Sequence, residues 1–504
     1  MTNDFPADVL ICGAGAAGLT LAIELARRGV SFRLIEKMAV QFPGSRGKGI
    51  QPRTQEIFED FGILDRIVAA GGIYPPLRVY HDDGSYSETN PIEYINPTPA
   101  EPYHIPLMIP QFLTETILRE RLAEMGHKVE FGLELSRFEQ STDGVVARVG
   151  GANGEESLQA RFLVGADGGR SFVRGALGIN FPGKTLGARA VVADVMLTGL
   201  SRDAWHQFNH GDIEKMVHVC PLAGTDLFQI QAPISSEGDF DLSAGSLQRL
   251  LNERTCQQNI QVRSVKWASA YTMNARLADR YRIGRVFLVG DAAHIHPPTG
   301  GQGLNTSVQD AYNLGWKLAA VLDGASDHLL DSYEEERRPV AEAVLGLSGR
   351  LLNDQKQGEM RRGREVHQLD IDYSGSSLSS ENRSQGEALC AGDRAPDAPC
   401  KGAAGQPTRL FQLMQGPHWT LLIHGTGPED LTPRAGLRIH HVGTDGDVID
   451  QWGYIREAYA LQAGECVLIR PDGYVGAAFE VGQLAKLEDY LERVGLVCCE
   501  ETPR

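Results

Sequence analysis

The sequence predicts an α/β protein with a parallel-sheet domain, an inserted antiparallel sheet and a smaller carboxyl-terminal α/β domain. Three observations support this prediction. The chain opens with an apolar strand that runs into a glycine-rich turn and a helix. Two later apolar strands, at 162–166 and 286–290, each deliver an acidic residue at their carboxyl end. Between these two strands lie alternating apolar runs, which are typical of an antiparallel sheet.

The length and charge of the chain limit the classes of protein to which it can belong. Its 504 residues suggest two to four domains, at roughly 150 residues per domain. The 65 Asp and Glu outnumber the 48 Lys and Arg, so the formal net charge is −17. Nucleic acids and anionic lipid surfaces are bound through concentrated Lys and Arg, and we therefore expect neither as a partner.

The cysteines and the amino terminus indicate a protein of the reducing cytoplasm. The eight cysteines are scattered, and none forms a CxxC pair. Residues 1–8 carry acid instead of the basic segment that opens a secretory signal. The apolar run 9–26 is long enough to suggest a membrane span, but three glycines and Glu24 interrupt it. A strand, a turn and a helix explain this run better.

The first glycine-rich turn predicts a dinucleotide site on a Rossmann-like sheet. A buried strand at 7–12 precedes GAGAAG, a helix follows at 19–26, and a second strand at 31–35 ends at an acid. The glycines permit the turn, the approach of a pyrophosphate and close packing of helix on strand, while the acid accepts ribose hydroxyls. The motif alone leaves FAD and NAD(P) open. Its predicted contacts are Gly13, Gly15, Ala17, Gly18, Glu36 and Lys37.

Two further turns are predicted at the same edge of the sheet. Asp167 and Gly168 follow the strand at 162–166, and Asp291 follows the strand at 286–290. Because ligands of open α/β sheets bind at the carboxyl ends of the strands, both acids would face the ligand held by the first turn. The segment PPTGGQGLN at 297–305 then opens a helix.

With these motifs in the same order and approximate spacing, the chain resembles the flavin-dependent aromatic hydroxylases of the para-hydroxybenzoate hydroxylase type over about residues 7–350. The resemblance rests on GxGxxG with its acid, the Asp-Gly turn and GDAAHIHPPTGGQGLN. It implies FAD as the cofactor. It also implies that Glu36 binds the adenosine ribose, that Arg46 contacts the pyrophosphate region, and that Gln111 lies near the ribityl chain and the pyrophosphate.

The resemblance implies further roles at the flavin end of the site. Asp291 would bind the ribityl chain. The backbone of Gly303, Leu304 and Asn305 would face the N1 and O2 edge of the flavin. Pro298 matches a proline whose carbonyl lies near the substrate and flavin N5, and it is the one catalytic candidate.

The sequence also contains His294-x-His296, a spacing that suggests a metal site. No third ligand accompanies this pair, and both histidines lie inside the Gly-Asp segment. We therefore predict no metal. No Ser-His-Asp or Cys-His arrangement is present in a supporting local motif.

The predicted domain organisation is discontinuous. Residues 1–180 and 283–352 form the FAD-binding domain, 181–282 form the substrate domain, and 353–394 form a linker. Aromatic-bearing chain at 74–110 is considered for the substrate pocket, although core packing also explains its aromatics. Residues 395–504 resemble the thioredoxin-like domain of the phenol-hydroxylase and polyketide-hydroxylase branch.

The carboxyl-terminal domain departs from thioredoxin because it lacks a CxxC pair. Its Cys498 and Cys499 are adjacent, which is a poor geometry for an ordinary disulfide. Thiol exchange needs an attacking thiolate and a resolving partner. We therefore predict a structural or oligomer-forming domain, and a homodimer is considered.

The function implied by the resemblance is hydroxylation of a phenolic or other aromatic ring. In that family NADH or NADPH reduces the flavin transiently, O₂ adds to give a C4a-hydroperoxide, and one oxygen is transferred to the ring. The base for the phenolic proton is not identified by the sequence. The alternatives are a monooxygenase of polycyclic polyketides or antibiotics, another FAD oxidoreductase, and a non-catalytic protein that binds flavin or an aromatic ligand.

Overall fold

The computed structural model describes residues 5–152, 154–255, 257–356, 362–383, 389–425 and 431–497. Within these residues, three large sheets combine with helices, which confirms the predicted α/β fold class. The adjacent Cys498 and Cys499 lie outside the described residues. No helix in the described part of the chain is long and apolar enough to cross a membrane.

Strands and α-helices are numbered separately along the described chain. The strands are β1 (Ala7–Cys12), β2 (Phe32–Glu36), β3 (Gly49–Ile50), β4 (Leu77–Tyr80), β5 (Tyr86–Thr89), β6 (Leu107–Met108), β7 (Glu130–Phe131), β8 (Glu134–Gln140), β9 (Val145–Gly151), β10 (Gly154–Gly165), β11 (Gly183–Thr198), β12 (Trp205–Phe208), β13 (Val217–Pro221), β14 (Phe228–Ile234), β15 (Gln261–Leu277), β16 (Arg282–Ile283), β17 (Val286–Leu288), β18 (His294–Ile295), β19 (Ser380–Glu381), β20 (Pro399–Gly402), β21 (Pro407–Arg409), β22 (Trp419–His424), β23 (Leu437–Val442), β24 (Val448–Ile449), β25 (Glu465–Ile469) and β26 (Val475–Glu480). The helices are α1 (Ala16–Ala26), α2 (Pro52–Asp60), α3 (Leu64–Ala70), α4 (Gln111–Glu124), α5 (Phe172–Ala176), α6 (Ala244–Thr255), α7 (Gly303–Leu322), α8 (Asp331–Lys356), α9 (Leu410–Met414), α10 (Tyr454–Ala458) and α11 (Leu484–Arg493).

The first sheet carries the glycine-rich turn. Its strand order is β16-β17-β10-β1-β2-β7, and β8 and β9 extend it beside β10. The pairings of β1 with β2 and β10, and of β10 with β17, are parallel. Apolar strands buried on both faces are typical of such a sheet, and β1 is buried along nearly its whole length.

The register of this sheet brings three turns to one edge. Cys12, the last residue of β1, pairs with Gly165 on β10, and Gly165 pairs with Leu288 on β17. The glycine-rich turn, Asp167 and Asp291 therefore leave the sheet from neighbouring positions. The predicted convergence of these turns is confirmed by the register.

The second sheet has the order β18-β15-β11-β14-β13-β12-β4-β5. Its long central pair, β11 and β15, is antiparallel, as the alternating apolar runs predict. One face packs its apolar side chains with residues of α6, since alternate residues of a strand point to opposite faces. Strands β4 and β5 show that part of the 74–110 segment joins this sheet.

The third sheet has the order β19-β26-β25-β22-β23-β24-β20-β21 and forms the carboxyl-terminal region. Strand β22 is parallel to β23 and antiparallel to β25, so the sheet is mixed. Helix α11 packs an apolar face on this sheet through residues such as Leu487 and Leu491, which are fully buried.

The segment predicted as a linker, 353–394, is packed against the protein where it is described. Leu369 and Tyr373 are buried, and β19 pairs with β26 of the third sheet. Arg337 of α8 donates a 2.9 Å hydrogen bond to the hydroxyl of Tyr373. The domain boundaries stated above stay predictions.

Candidate active site

The glycine-rich turn of the first sheet leaves an open cradle at the start of α1. Gly13 has φ +108°, and a Cβ on it would collide with the carbonyl of Ala166. A Cβ on Gly18 would collide with the carbonyl of Gly13, so this glycine permits the close packing of helix on turn. A Cβ on Gly15 would meet no atom nearer than Glu115 Oε1 at 3.8 Å. The backbone N–H of Ala16 at this helix start donates to the carboxyl group of Glu115, and the open space at Gly15 can accept an anion at the helix N-terminus.

The acid after β2 lies beside this turn. One carboxylate oxygen of Glu36 accepts a 3.0 Å hydrogen bond from the backbone N–H of Ala14, and the other accepts one from Met38. Lys37 next to it is exposed, whereas Ala17 is buried inside α1. Glu36 is therefore held where it can meet a ligand bound to the turn.

Arg46 and Gln111 are brought together by a backbone contact. The side-chain oxygen of Gln111 accepts hydrogen bonds from the N–H groups of Arg46 (3.2 Å) and Gly47 (3.3 Å). The guanidinium of Arg46 lies over the ring of Phe42, with Cζ 5.3 Å from the centroid, and Arg46 is exposed. Gln111 thus positions the backbone of residues 44–48, called the arginine segment below, and leaves the cationic side chain of Arg46 free to turn toward an anion.

Glu115 is a site residue that sequence reasoning missed. It is 1% exposed and accepts a 2.8 Å hydrogen bond from the side-chain N–H of Gln111. Burial raises the pKa of Glu115 to about 7, although Gln111 and Arg119 favour the ionised form. Its position four residues after Gln111, on the same face of α4, is the signal that could have identified it.

Asp167 lies where β10 ends, against the glycine-rich turn. One carboxylate oxygen accepts a 3.0 Å hydrogen bond from the N–H of Val173 at the start of α5. The other oxygen is buried and has no hydrogen-bond partner among the residues that the structure describes. Because buried polar atoms are normally paired, this oxygen is available for a ligand.

Asp291 is exposed at the sheet edge, while the residues behind it form a buried network. The pKa of Asp291 is raised by the protein packed around it, and this effect outweighs the nearby His294 and Arg46. Asp310 of α7 accepts a 3.1 Å hydrogen bond from the N–H of Gly290 and makes a 2.7 Å hydrogen bond to His294. Arg337 donates to the other oxygen of Asp310 at 2.8 Å. This network holds the turn that presents Asp291.

His294 therefore has a structural partner. No group of three His, Cys, Asp or Glu side chains suited to a metal ion occurs in the described ranges. Burial lowers the pKa of His296 to about 3, so this histidine is neutral.

Asn305 fastens the start of α7 to Gly49 and Gln51, which follow the arginine segment. Its side-chain oxygen accepts from the N–H of Gln51 at 2.8 Å, and its amide nitrogen donates to the carbonyls of Gly49 (2.8 Å) and Gly301 (2.7 Å). The side chain of Asn305 is thus used internally, and its backbone is the part that can face a ligand. Pro298 is exposed.

The neighbours of Asn305 bring α7 close to the arginine segment. A Cβ on Gly47 would lie 3.7 Å from Leu304, and a Cβ on Gly303 would lie 3.1 Å from His296. The tight contact at Gly303 favours glycine there, whereas the distance at Gly47 is an ordinary van der Waals contact.

The second sheet presents a polar face opposite its α6-covered face. The register places Trp267, Asp194, Gln229, Cys220 and Trp205 in one row across β15, β11, β14, β13 and β12. Because residues two apart on a strand share a face, the adjacent row of Gln231, His218 and Gln207 lies on the same face. These eight residues are called the polar face below.

The arginine segment crosses directly over the polar face. Gln229 donates a 2.6 Å hydrogen bond to the carbonyl of Ser45 and accepts one of 3.0 Å from the ammonium of Lys48. A Cβ on Gly44 would collide with the indole of Trp267. These residues were missed by sequence reasoning. Acid and amide side chains at alternate positions of otherwise apolar strands were the available signal.

Several buried atoms of the polar face have no hydrogen-bond partner among the described residues. They include both ring nitrogens of His218, one carboxylate oxygen of Asp194 and the indole nitrogen of Trp205. Burial lowers the pKa of His218 to about 3 and raises that of Asp194 to about 6. Burying unpaired polar groups is unfavourable, so their concentration here indicates a surface that meets a ligand.

A pocket of about 550 Å³ opens next to the second sheet. None of the predicted cofactor residues lines it, although its Met108 packs with Cys220 and Trp205 of the polar face. Its lining residues are Ile73, Pro75, Met108, Arg202, Pro221, Ala223, Gly224, Thr225 and Asp226.

The site therefore combines a dinucleotide cradle with the largely buried polar face. The open space at Gly15, the unpartnered oxygen of Asp167 and the exposed carboxylate of Asp291 fit an elongated dinucleotide such as FAD. The polar face lies beyond the arginine segment, where a second compound can approach the end of that ligand. Fold and site together define a cofactor-dependent oxidoreductase.

Comparison with known families specifies this class. Residues 6–348 match the family described as FAD binding domain, and residues 389–495 match the family described as aromatic-ring hydroxylase, C-terminal. The chain belongs to the FAD-dependent aromatic-ring hydroxylases. It is a flavoprotein monooxygenase with FAD as its cofactor, which confirms the prediction of enzyme class and cofactor.

Individual relatives support the same assignment over the whole chain. A flavin-dependent monooxygenase of Mycobacteroides abscessus is 42% identical, over 96% of this chain and 99% of its own. The 12-dehydrotetracycline 5-monooxygenase/anhydrotetracycline 6-monooxygenase of Streptomyces rimosus is 33% identical, over 93% and 94%. The solved structure of the flavin-dependent monooxygenase PieE in complex with FAD and substrate has a TM-score of 0.86 and 26% identity, over 97% and 99%.

Proposed function

We propose that this enzyme hydroxylates a polycyclic phenolic compound held between the polar face and the start of α7. The observation that carries the proposal is the position of the arginine segment, residues 44–48. Its Arg46 lies on the side of Gln111 and the cofactor cradle, whereas Ser45 and Lys48 contact Gln229 of the polar face. One short segment thus adjoins both the cofactor and the substrate.

The cofactor is proposed to follow the edge of the first sheet. The pyrophosphate would meet the N–H groups at Gly15, with Arg46 as its cationic contact. Glu36 would bind the adenosine ribose, and Asp291 would bind the ribityl chain. Asp167 supplies an unpartnered oxygen along the same path, and the backbone of residues 303–305 would receive the flavin edge.

Bound FAD supplies the activation of O₂ that no amino-acid side chain provides. The protein has other tasks. The polar face orients the ring that receives oxygen, and the arginine segment and the start of α7 close the site from either side. The carbonyl of Pro298, which accepts a 3.3 Å hydrogen bond from the N–H of Gly301, is proposed to face the substrate. These contacts position the reactants and keep water away from the reacting ring.

The dimensions of the polar face support a polycyclic substrate. Its first row crosses five strands, from Trp267 to Trp205, and spans about 19 Å because neighbouring strands lie roughly 4.8 Å apart. A single phenol would leave most of that row uncovered. The Streptomyces rimosus relative is named for a tetracyclic substrate, and a fused-ring compound fits the same length here.

The reductant is proposed to be NADH or NADPH, bound transiently. The sequence contains one glycine-rich dinucleotide turn, and the flavin would occupy it. The nicotinamide nucleotide would therefore bind without a turn of this kind. A homodimer is proposed as the assembly, and analytical ultracentrifugation of the FAD-loaded enzyme tests it.

The proposed function is tested with the purified, FAD-loaded enzyme. Phenolic compounds with a single ring or with two to four fused rings are screened for stimulation of NADPH and NADH oxidation. The masses of the products are measured by mass spectrometry. We expect stimulation by a fused-ring phenol and a product heavier by one oxygen atom. Hydroxylation of monocyclic phenols alone would contradict the polycyclic proposal, and oxidation of the pyridine nucleotide with no oxygenated product would contradict the hydroxylase proposal.

A further inference from the structure

We propose that Lys48 and Arg362 form a cationic anchor that binds an ionised oxygen of the substrate over the ring of Trp205. The ionised oxygen belongs to a phenolate, an enolate or a carboxylate, which share negative charge on oxygen. This inference deepens the proposed function, because it rests on the polar face as the substrate surface.

Both cations converge on one aromatic ring. The ammonium of Lys48 lies 4.5 Å from the centroid of the Trp205 ring, and Cζ of Arg362 lies 5.7 Å from it. The ring of Tyr74 lies 6.1 Å from the same ring, and its hydroxyl donates a 3.1 Å hydrogen bond to the carbonyl of Lys48. Residues from four separated parts of the chain thus place two positive charges beside one aromatic ring. Trp205 itself is 3% exposed, so its ring supports the two cations, and the charged oxygen of a ligand would meet the cations themselves.

The two positive charges have no directly contacting carboxylate in the described ranges. Asp194 lies near enough to favour the charged form of Lys48, but it makes no ion pair with it. The hydrogen bond of Lys48 goes to the neutral amide oxygen of Gln229 at 3.0 Å, and the carboxylate of Asp194 bonds to the nitrogen of that amide at 3.2 Å. A cation that is partly removed from water without a counter-ion is unfavourable, and an anionic substrate oxygen would compensate it.

The surroundings of the two cations support the same conclusion. His218 lies at 5.9 Å from the Trp205 ring and is kept neutral by burial and by the nearby Lys48 and Arg362, so it adds no competing charge. Burial also lowers the pKa of Lys48, and this effect outweighs the opposing influence of Cys220 and Asp194. Lys48 and Arg362 each keep part of their surface exposed.

A purely structural role for Lys48 makes a different prediction. In that case its contacts with Trp205 and Gln229 hold the arginine segment in place, and its removal weakens binding of every substrate to a similar extent. An anchor for a charged oxygen instead discriminates between an anionic compound and its neutral analogue. The experiment is therefore a comparison of matched pairs.

Binding is measured by equilibrium dialysis of the FAD-loaded enzyme at mildly alkaline pH, without turnover. One pair of probes is alizarin, ionised at its 2-hydroxyl, and its 2-O-methyl ether. The second pair is anthraquinone-2-carboxylate and the corresponding carboxamide. The variants are Lys48→Met, Lys48→Arg and Arg362→Met. Lys266→Met is the matched control, since Lys266 is exposed and does not belong to the polar face.

We expect the parent enzyme to prefer at least one anionic probe over its neutral partner by about tenfold to a hundredfold. Lys48→Met should remove that preference and change the affinity for the neutral partner less than about threefold. Arg362→Met should reduce the preference in part, whereas Lys48→Arg and Lys266→Met should keep it. Preference within the first pair identifies a phenolate or enolate, and preference within the second identifies a carboxylate.

Three results would overturn the anchor: equal binding of both members of each pair by the parent, equal weakening of both members in Lys48→Met, or no binding of either anionic probe. FAD content is measured for each variant, and Arg362→Met provides an independent test if Lys48→Met retains no flavin. Because the experiment needs no turnover, a failed anchor leaves the hydroxylation screen unaffected, and a failed screen leaves the dialysis result interpretable.

Discussion

The first sheet and its helices meet the rest of the molecule at two interfaces that treat buried polar groups in opposite ways. At the carboxyl-terminal interface, fully buried charges are paired. Glu336 accepts hydrogen bonds from Lys317 at 2.7 Å and from both terminal nitrogens of Arg470 at 2.7 and 2.8 Å. Asp472 accepts from Arg470 and from the indole N–H of Trp316 at 3.0 Å.

At the interface with the second sheet, buried polar atoms of Asp194, His218 and Trp205 lack partners in the described chain. Burying a charge is tolerated when it is paired, and burying an unpaired polar atom lowers stability. The paired interface is therefore suited to holding domains together, whereas the unpaired interface is suited to receiving a ligand. The difference distinguishes a structural contact from a functional one within the same protein.

The largest expected effect comes from breaking the paired interface. Arg470→Met leaves Glu336 and Asp472 buried with less compensation, and we expect the free energy of unfolding to fall by about 3–5 kcal/mol. Chemical denaturation followed by flavin release and far-UV circular dichroism measures this change. Arg438→Met, on the exposed side of β23, is the control. A change below about 1 kcal/mol in Arg470→Met would show that the network contributes little to stability.

The same network has a predicted pH dependence. Burial opposes ionisation of Glu336, but Arg470 and Lys317 outweigh it and hold the pKa of this carboxyl well below its ordinary value. A depressed pKa in the folded state stabilises the protein above the ordinary value of about 4.5, and this contribution is lost as the pH falls further. The free energies of unfolding of the parent and of Glu336→Gln, measured as a function of pH, should therefore differ above pH about 4.5. The difference should shrink as the pH falls further.

The second prediction concerns the cofactor edge. Asp291→Ala removes a charged acceptor for the ribityl hydroxyls, and we expect FAD affinity to fall about tenfold to a hundredfold with the fold intact. Gel filtration at low protein concentration followed by flavin quantification measures retention. Asp239→Ala, at an exposed position, is the control. Unchanged FAD retention in Asp291→Ala would mean that the proposed ribityl contact is wrong.

The third prediction concerns the ionisation of Glu115 beside the cofactor cradle. Burial raises the pKa of Glu115 to about 7, so its ionisation as the pH rises through this value places a negative charge near the proposed pyrophosphate. We expect FAD affinity to fall by up to about tenfold from mildly acidic to mildly alkaline pH. In the FAD-free protein this raised pKa also lowers stability as the pH rises from about 4.5 to about 7, because the folded state then binds the proton more tightly.

Glu115→Gln keeps the hydrogen-bonding shape and removes the titration. Its FAD affinity should therefore show a flatter pH profile than that of the parent. An identical profile in the two proteins, measured by flavin fluorescence across the same pH range, would exclude Glu115 as the titrating group.

The smallest expected effect is at the end of the chain. Cys498→Ser combined with Cys499→Ser should leave coupled hydroxylation almost unchanged, because a region without a CxxC pair has no resolving partner for thiol exchange. NAD(P)H consumption and hydroxylated product are measured together with a confirmed substrate. A large loss of product, with FAD content and fold intact, would show that the thiols take part in turnover.

Short sequence motifs were sufficient to predict the turns at the cofactor edge of the first sheet. Gly13, Gly15 and Gly18 are recognisable because each removes a side chain at a position where neighbouring backbone or a ligand must approach closely. Asp167 and Asp291 follow strands whose apolar residues are consecutive along the chain. In each case the signal lies within a few residues, so the chain order was sufficient to reveal it.

The polar face and the carboxyl-terminal network were outside the reach of such reasoning. Asp194 and Gln229 become neighbours through the register of β11 and β14, and Lys48 reaches them from a distant part of the chain. Glu336 and Arg470 are 134 positions apart in the sequence. Their pairing depends on how two sheets are packed against α7 and α8.

The sequence by itself therefore determined the fold class and the dinucleotide turn, because short-range steric and hydrogen-bonding requirements leave local patterns. The flavin-dependent chemistry was implied by the resemblance that the ordered motifs carry. Only the tertiary structure decided which buried polar groups have hydrogen-bond partners and which lack them in the described residues. Pairing depends on distances between side chains remote in sequence, and burial, which makes an unpaired group unfavourable, exists only once the domains have packed.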